Sequence, residues 1–242
     1  MLSRDDLQKF TDKYQTSERN IVREYLQHLF LANLYRSAGA EKLLFKGGTA
    51  LRIAFLSPRF SEDVDFTGQN IYHHQEIDEL FVSALSEVGR MGISVYVKEA
   101  KPTTGGYLGL IHYEMFDLIE DMKFEVSLRK GKKAAGELVN VASEYIPSYS
   151  LIHLPAEIIA GEKLEAALTR KKPRDYYDLY FMLRHPGLNK HINKRKLGAV
   201  LDDLNLGKID FKKELSILLP ASHQMILKNF KETLKKEIGK YL

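Results

Sequence analysis

The 242 residues include no cysteine and no tryptophan. Without cysteine a disulfide framework, a thiolate zinc site and a thiol nucleophile are all excluded, and a reducing compartment suits the chain best. No apolar run approaches the ~18–20 residues that a membrane span needs. The opening "MLSRDDLQKF" has no apolar signal-peptide core, so the expected location is cytoplasmic with no membrane partner. Neither a Walker loop, GxxxxGK[ST], nor a dinucleotide GxGxxG occurs. The 8 histidines are scattered, and the adjacent pair His73 and His74 lacks metal-ligand spacing, which argues against a histidine site. Charge is not strongly one-sided either: 36 basic against 32 acidic residues leave +4, a mild excess that suits polyanionic partners without demanding them.

What is present is a packed-core composition, 44% hydrophobic. Residues 17–39 recur apolar at helical spacing, with Ser17 placed to cap and Gly39 to terminate. "EKLLFKGG" (41–48) reads as a buried strand cut off by glycines, and "TALRIAFLS" (49–57) as a helix begun by Thr49. "EDVDFTG" is strand-like and 75–92 is an amphipathic helix closed by glycine. Residues 93–100, 107–115 and 122–129 read as strands of one sheet. From Pro155 onward the strand signals stop and four helical segments follow, so the expectation is an α+β fold with domains over 1–150 and 151–242.

The acidic residues carry the first chemical signal. On a strand, Asp63 and Asp65 point to one face while Val64 and Phe66 point to the other. Like charges so placed call in a proton or a cation, and hard oxygen donors favour Mg²⁺ or Mn²⁺. Glu125, between Phe124 and Val126, offers a third carboxylate on the same kind of face. A solvated strand edge is the simpler reading of an isolated DxD. Against it stand Gly47 and Gly48 where strand turns to helix, 14 positions or so before the DxD; their amides, with the Thr49 hydroxyl, suit a phosphate cradle.

In the helical half, Lys163 and Arg170 lie seven apart and within about 20° on a helical wheel, on a face shared with Ile159, Ala166 and Ala167. A lysine there either snorkels to solvent or reaches an anionic ligand. Asp175, in the first turn after Pro173, suits the free amides of a helix start, whereas Asp178 one turn on has no such explanation and is the better functional aspartate, steering Lys163 or Arg170. "RKGKK" (129–133), "RKKPR" (170–174) and "NKRK" (193–196) are basic clusters, each a solvated face alone and together suited to an RNA backbone.

The combination of a GG[ST] turn, a DxD strand and a later carboxylate strand resembles the polymerase-beta-like nucleotidyltransferase superfamily. "KGGTALR", "RFSEDVDF" and "EKLEAALTRKKPRDYYDLYFML" in order resemble the AbiEii/AbiGii toxins of bacterial type IV toxin–antitoxin systems over residues 17–185. The resemblance implies a core with a mixed sheet, Gly47, Gly48 and Thr49 on the triphosphate of an NTP, Asp63 and Asp65 on metal, and a lysine and an aspartate from the last segment in the active site. It further implies NMP transfer to tRNA or another cellular acceptor and a cognate antitoxin. A small-molecule acceptor and a nucleotide-binding module without turnover are the other readings.

Overall fold

A computed structural model describes residues 1–129 and 134–242, so most of the basic run 129–133 lies outside the described residues. The chain divides into two compact units, one of residues 1–56 and 60–154, the other of residues 57–59 and 155–242.

The first unit is built on one seven-stranded mixed sheet among the described residues. In chain order it comprises α1 (Arg4–Tyr14), α2 (Glu18–Leu34), β1 (Leu43–Lys46), α3 (Gly47–Ile53), β2 (Val64–Gly68), α4 (Gln75–Arg90), β3 (Ser94–Thr103), β4 (Gly106–Met115), β5 (Leu118–Ser127), β6 (Glu137–Val141) and β7 (Tyr149–His153). The strands run in the order β3-β4-β5-β2-β1-β7-β6. Alternation sets the two faces: Val64, Phe66, Phe124 and Val126 are buried, while Asp65, Lys123 and Glu125 project the other way. The apolar face is covered by α2 and α4, whose Phe30 and Phe81 rings lie 5.4 Å apart and each contact Phe124. The opposite face is thereby left for polar chemistry.

Several expectations shift. The helix from Ser17 forms and Ser17 caps it through the Asn20 amide, but it ends at Leu34, not at Gly39. Gly39 instead adopts φ +92 ahead of a single 3₁₀ turn. The helix read from Thr49 starts two residues earlier, at Gly47. β6 and β7 were not expected: β7 is five residues long and pairs with β1 in parallel, and its successor Leu154 donates its N–H to the Phe45 carbonyl at 2.8 Å. A short strand that joins the sheet through a partner a hundred residues away has little local signal.

The second unit is helical: α5 (Ala156–Thr169), α6 (Pro173–Arg184), α7 (Leu197–Leu206), α8 (Phe211–Leu218) and α9 (Phe230–Ile238), with 3₁₀ turns between. Leu164, Leu179, Met182, Leu183, Val200, Leu204, Leu215 and Leu234 form its buried centre. Where the sequence predicts four helical segments, five α-helices form among the described residues, and Ala221–Asn229, just before α9, is 3₁₀.

From Asn20 to Leu34 α2 is buried all round, including the charged Arg23 and Glu24. Glu24 accepts two bonds from Arg52 of α3, at 2.5 and 3.1 Å, and one from the Tyr145 hydroxyl at 2.7 Å. Gln27 donates to the Ser61 and Glu62 carbonyls, pinning the loop that leads into β2. His28, hydrogen-bonded to the Tyr149 hydroxyl at 2.9 Å, has its pKa pushed down to about 4 by burial, which outweighs the nearby Glu24 charge. A histidine neutral when folded and protonated near 6.5 when unfolded weakens folding on acidification, by about 1.4 kcal/mol per pH unit between the two values. Urea denaturation should therefore show about 2 kcal/mol less stability at pH 5 than at pH 7, with most of that difference absent in His28→Gln.

Candidate active site

Two groups of polar side chains stand out, one in each unit. In the first unit, β1 pairs antiparallel with β2 so that Lys46 lies opposite Asp65, and the chain leaves β1 directly into Gly47. Gly47 has φ +84, and a Cβ added there would overlap the Asp65 carboxylate. Both requirements select glycine. Gly48 is different: it is buried in α3 and is not among the positive-φ residues, so the conformational demand in the GG pair falls on the first member alone.

Thr49 does not cap α3. Lys46 occupies the cap position without a capping side-chain hydrogen bond, and the buried Thr49 hydroxyl donates to the Asp63 carbonyl. Thr49 therefore ties the glycine turn to the acidic strand. β2 in turn pairs in parallel with β5, placing Asp65 beside Glu125 and Val64 beside Phe124. Asp65 and Glu125 lie side by side on one sheet face, as the alternation predicts, and Asp63, the residue just before β2, lies within reach of the same lysine. Lys123, which sequence reasoning missed, reaches across them: its Nζ is 2.8 Å from Glu125 and 3.6 Å from Asp63. Partial burial works against its charge, but Glu125, Asp63 and Asp65 outweigh that and raise its pKa. The spacing 123/125 on one strand was the available signal.

Asp63 and Glu125 remain 36% and 50% exposed, so an incoming ligand has access to them. Among the described residues no three His, Asp or Glu side chains are drawn together as a metal site. The donor chemistry nonetheless fits a hard divalent cation: three carboxylates on adjoining strands already attract one positive group, the Lys123 ammonium.

In the second unit Asp178 is 1% exposed and carries two cations. It accepts from Lys163 Nζ at 2.7 Å and from Arg59 Nε and Nη2 at 2.8 and 3.1 Å. Burial alone would raise its pKa; Arg59 and Lys163 overcome this and hold it below the ordinary carboxylate value. Its contribution to stability is thus present above about pH 3.8 and lost as acid takes the pH through the lower folded value. The expected partnership of Asp178 with Lys163 is present, and Lys163 does not snorkel freely. Arg170 goes elsewhere, to Asp175 at 2.5 Å, so the helical face shared by Lys163 and Arg170 serves two separate carboxylates. Asp175 is fully buried and also accepts from the Lys172 N–H at 3.2 Å, the helix-start role read from sequence. Arg59 was not anticipated. A lone arginine in the loop "SPRFSEDVDF" has no periodicity to mark it.

The family described as nucleotidyl transferase AbiEii toxin of type IV toxin–antitoxin systems matches residues 29–240. The chain belongs to this family. Among solved structures, the fold of this toxin-family chain is similar to MenT4, a nucleotidyltransferase toxin of Mycobacterium tuberculosis, at 17% identity and a TM-score of 0.70 over 100% of this chain and 90% of that one. It is similar also to JHP933 of Helicobacter pylori, at 23% identity and a TM-score of 0.61 over 93% of each. No curated protein sequence matches the chain significantly. Membership in a nucleotidyltransferase toxin family implies an NTP substrate and an antitoxin. Among the described residues no helix is long and apolar enough to cross a membrane.

The buried cluster gives a stability test. Asp178→Ala strands two buried cations and should destabilise the fold by about 3–5 kcal/mol in chemical denaturation. Arg59→Met, which leaves Asp178 its Lys163 partner, should cost distinctly less.

Proposed function

We propose that this toxin transfers a nucleoside monophosphate from an NTP to a hydroxyl of an RNA, with tRNA as the acceptor class. The acceptor oxygen attacks the α-phosphorus, the bond to the β-phosphate oxygen breaks, and pyrophosphate leaves while the acceptor proton passes to a carboxylate or to water. The observation that carries the reading is the contact of Gly47 with the Asp65 carboxylate, with Glu125 on the same face and Asp63 just before β2. A phosphate-approachable turn and an acidic face are then neighbours.

In this reading the Gly47 and Gly48 amides meet the triphosphate, and Thr49 holds Asp63 in place. Asp63, Asp65 and Glu125 would hold Mg²⁺ or Mn²⁺, which when bound supplies Lewis-acid stabilisation of phosphate oxygens. Lys163 is the phosphate-directed cation of the helical unit, positioned by Asp178 and Arg59, and Arg170 is a further nucleotide contact. The three basic clusters, of which 170–174 and 193–196 lie in the helical unit, suit an RNA backbone because Lys and Arg contacts to phosphate need no particular sequence.

Incubating the protein with each α-labelled NTP, Mg²⁺ and total cellular RNA should place label on RNA with matching pyrophosphate release. Label on a small molecule instead would replace the acceptor, and NTP binding with no pyrophosphate would reduce the protein to a binding module. Asp65→Ala removes one of several like charges and should abolish transfer with an unchanged melting transition. Undiminished transfer in that variant would remove the acidic face from the mechanism.

A further inference from the structure

The helical unit holds a second feature that the transfer chemistry does not use. Tyr177, Tyr180, Phe181 and Arg184 recur at helical spacing on one side of α6, with Asp178 about 100° away from Tyr177 around the axis. Together with His223 and Ile226 they line a cavity of about 340 Å³. Its aromatic wall is rigidly backed, since the Phe230 ring stacks on Tyr177 at 5.8 Å and meets Tyr180 edge-on at 5.6 Å. Arg184 lies over the Tyr180 ring at 5.4 Å, and its guanidinium is 3.5 Å from Glu237.

Positive charge gathers at this end of α6. Glu237 also binds Lys240 at 2.7 Å. The Tyr241 hydroxyl donates to the Leu183 carbonyl, and Lys194 sits over the Tyr241 ring at 5.6 Å. The whole unit is strongly one-sided: residues 57–59 and 155–242 carry 19 Lys and Arg against 11 Asp and Glu, a net +8, which leaves −4 for the other unit in a chain of +4. The mild total conceals a basic half.

We infer that this cavity takes one unpaired base of a single-stranded RNA, stacked on Tyr180 and Phe181, with the flanking phosphates on Arg184, Lys194 and Lys240. Aromatic rings recognise a base through its π-face, and arginine adds both stacking and phosphate contact. The volume is near the lower end of the ~300–1,000 Å³ of small-ligand sites, a size that suits a single base. Arg184 in the lining, with Lys240 reached through Glu237 and Lys194 through Tyr241, favours a polyanion over a neutral aromatic compound. This inference rests on the RNA-acceptor reading and adds to it a base-holding site on a different face of α6 from Asp178.

The test uses the full chain and a 5′-fluorescein-labelled, unstructured RNA dodecamer followed by anisotropy. Tyr180→Ala should weaken binding about tenfold or more, and Tyr180→Phe should bind like the parent, because stacking needs the ring and not the hydroxyl. Arg184→Gln, at a half-exposed position, should weaken binding severalfold, and it guards against misfolding of the tyrosine variant. A blunt RNA duplex should show no dependence on Tyr180. Cross-linking of a 4-thiouridine dodecamer to the parent should yield adducts on residues 177–184 or 222–226. If the parent labels RNA in the transfer assay yet Tyr180→Ala and Arg184→Gln bind the dodecamer unchanged, or adducts fall only elsewhere, the base site is wrong and the acceptor reading stands. If the parent neither labels nor binds RNA, both fall, and the cavity is open to a protein or small-molecule occupant.

Discussion

The antiparallel register of β1 against β2 is the constraint on which the candidate site depends. With Lys46 opposite Asp65, the residue after β1 must pass over the Asp65 side chain, and only a residue without Cβ can do so at φ +84. The same register lets Thr49 reach the Asp63 carbonyl and leaves β2 free to pair with β5 on its other side. A slip by one residue would turn Asp65 into the apolar face beneath α2 and α4, where a carboxylate is costly. Burial of Phe66 and Phe124 therefore enforces the exposure of Asp65 and Glu125.

Buried polar networks do the remaining positioning. In the first unit, α2 uses Gln27 to hold the carbonyls of the loop before β2 and Glu24 to hold Arg52 of α3. Helix charges turned inward would destabilise the core if unpaired, and each described here has a close partner. In the second unit, one aspartate with two cations is an asymmetric arrangement. Asp178 accepts from both Lys163 and Arg59, so one buried carboxylate fixes two cationic side chains. The separate Arg170–Asp175 pair is different in kind: Arg170 is largely solvent-exposed and its partner also satisfies a helix start.

Charge segregation gives the same division at a coarser scale. The acidic unit carries the carboxylates that suit a cation together with the glycine turn, and the basic unit carries Lys163, Arg170 and two of the lysine- and arginine-rich segments. A total near neutrality arises from the sum of two unlike halves.

Sequence by itself determined the α+β class, the change to helices near Pro155, the common face of Asp65 and Glu125, and the family resemblance that the match over residues 29–240 bears out. Each of these is encoded locally, in period, in turn residues or in short ordered motifs. The pairing of Asp178 with Lys163 was partly legible too, because the two lie close in sequence on consecutive helices. Tertiary structure alone decided that Gly47 rather than Gly48 carries the positive φ, that Thr49 serves Asp63, that Lys123 lies among the carboxylates and that Arg59 completes the Asp178 cluster. Those facts rest on strand register and on loops packed against distant residues. The five-residue β7 shows the same limit, since its strand state comes from the neighbours that pair with it and not from its own composition.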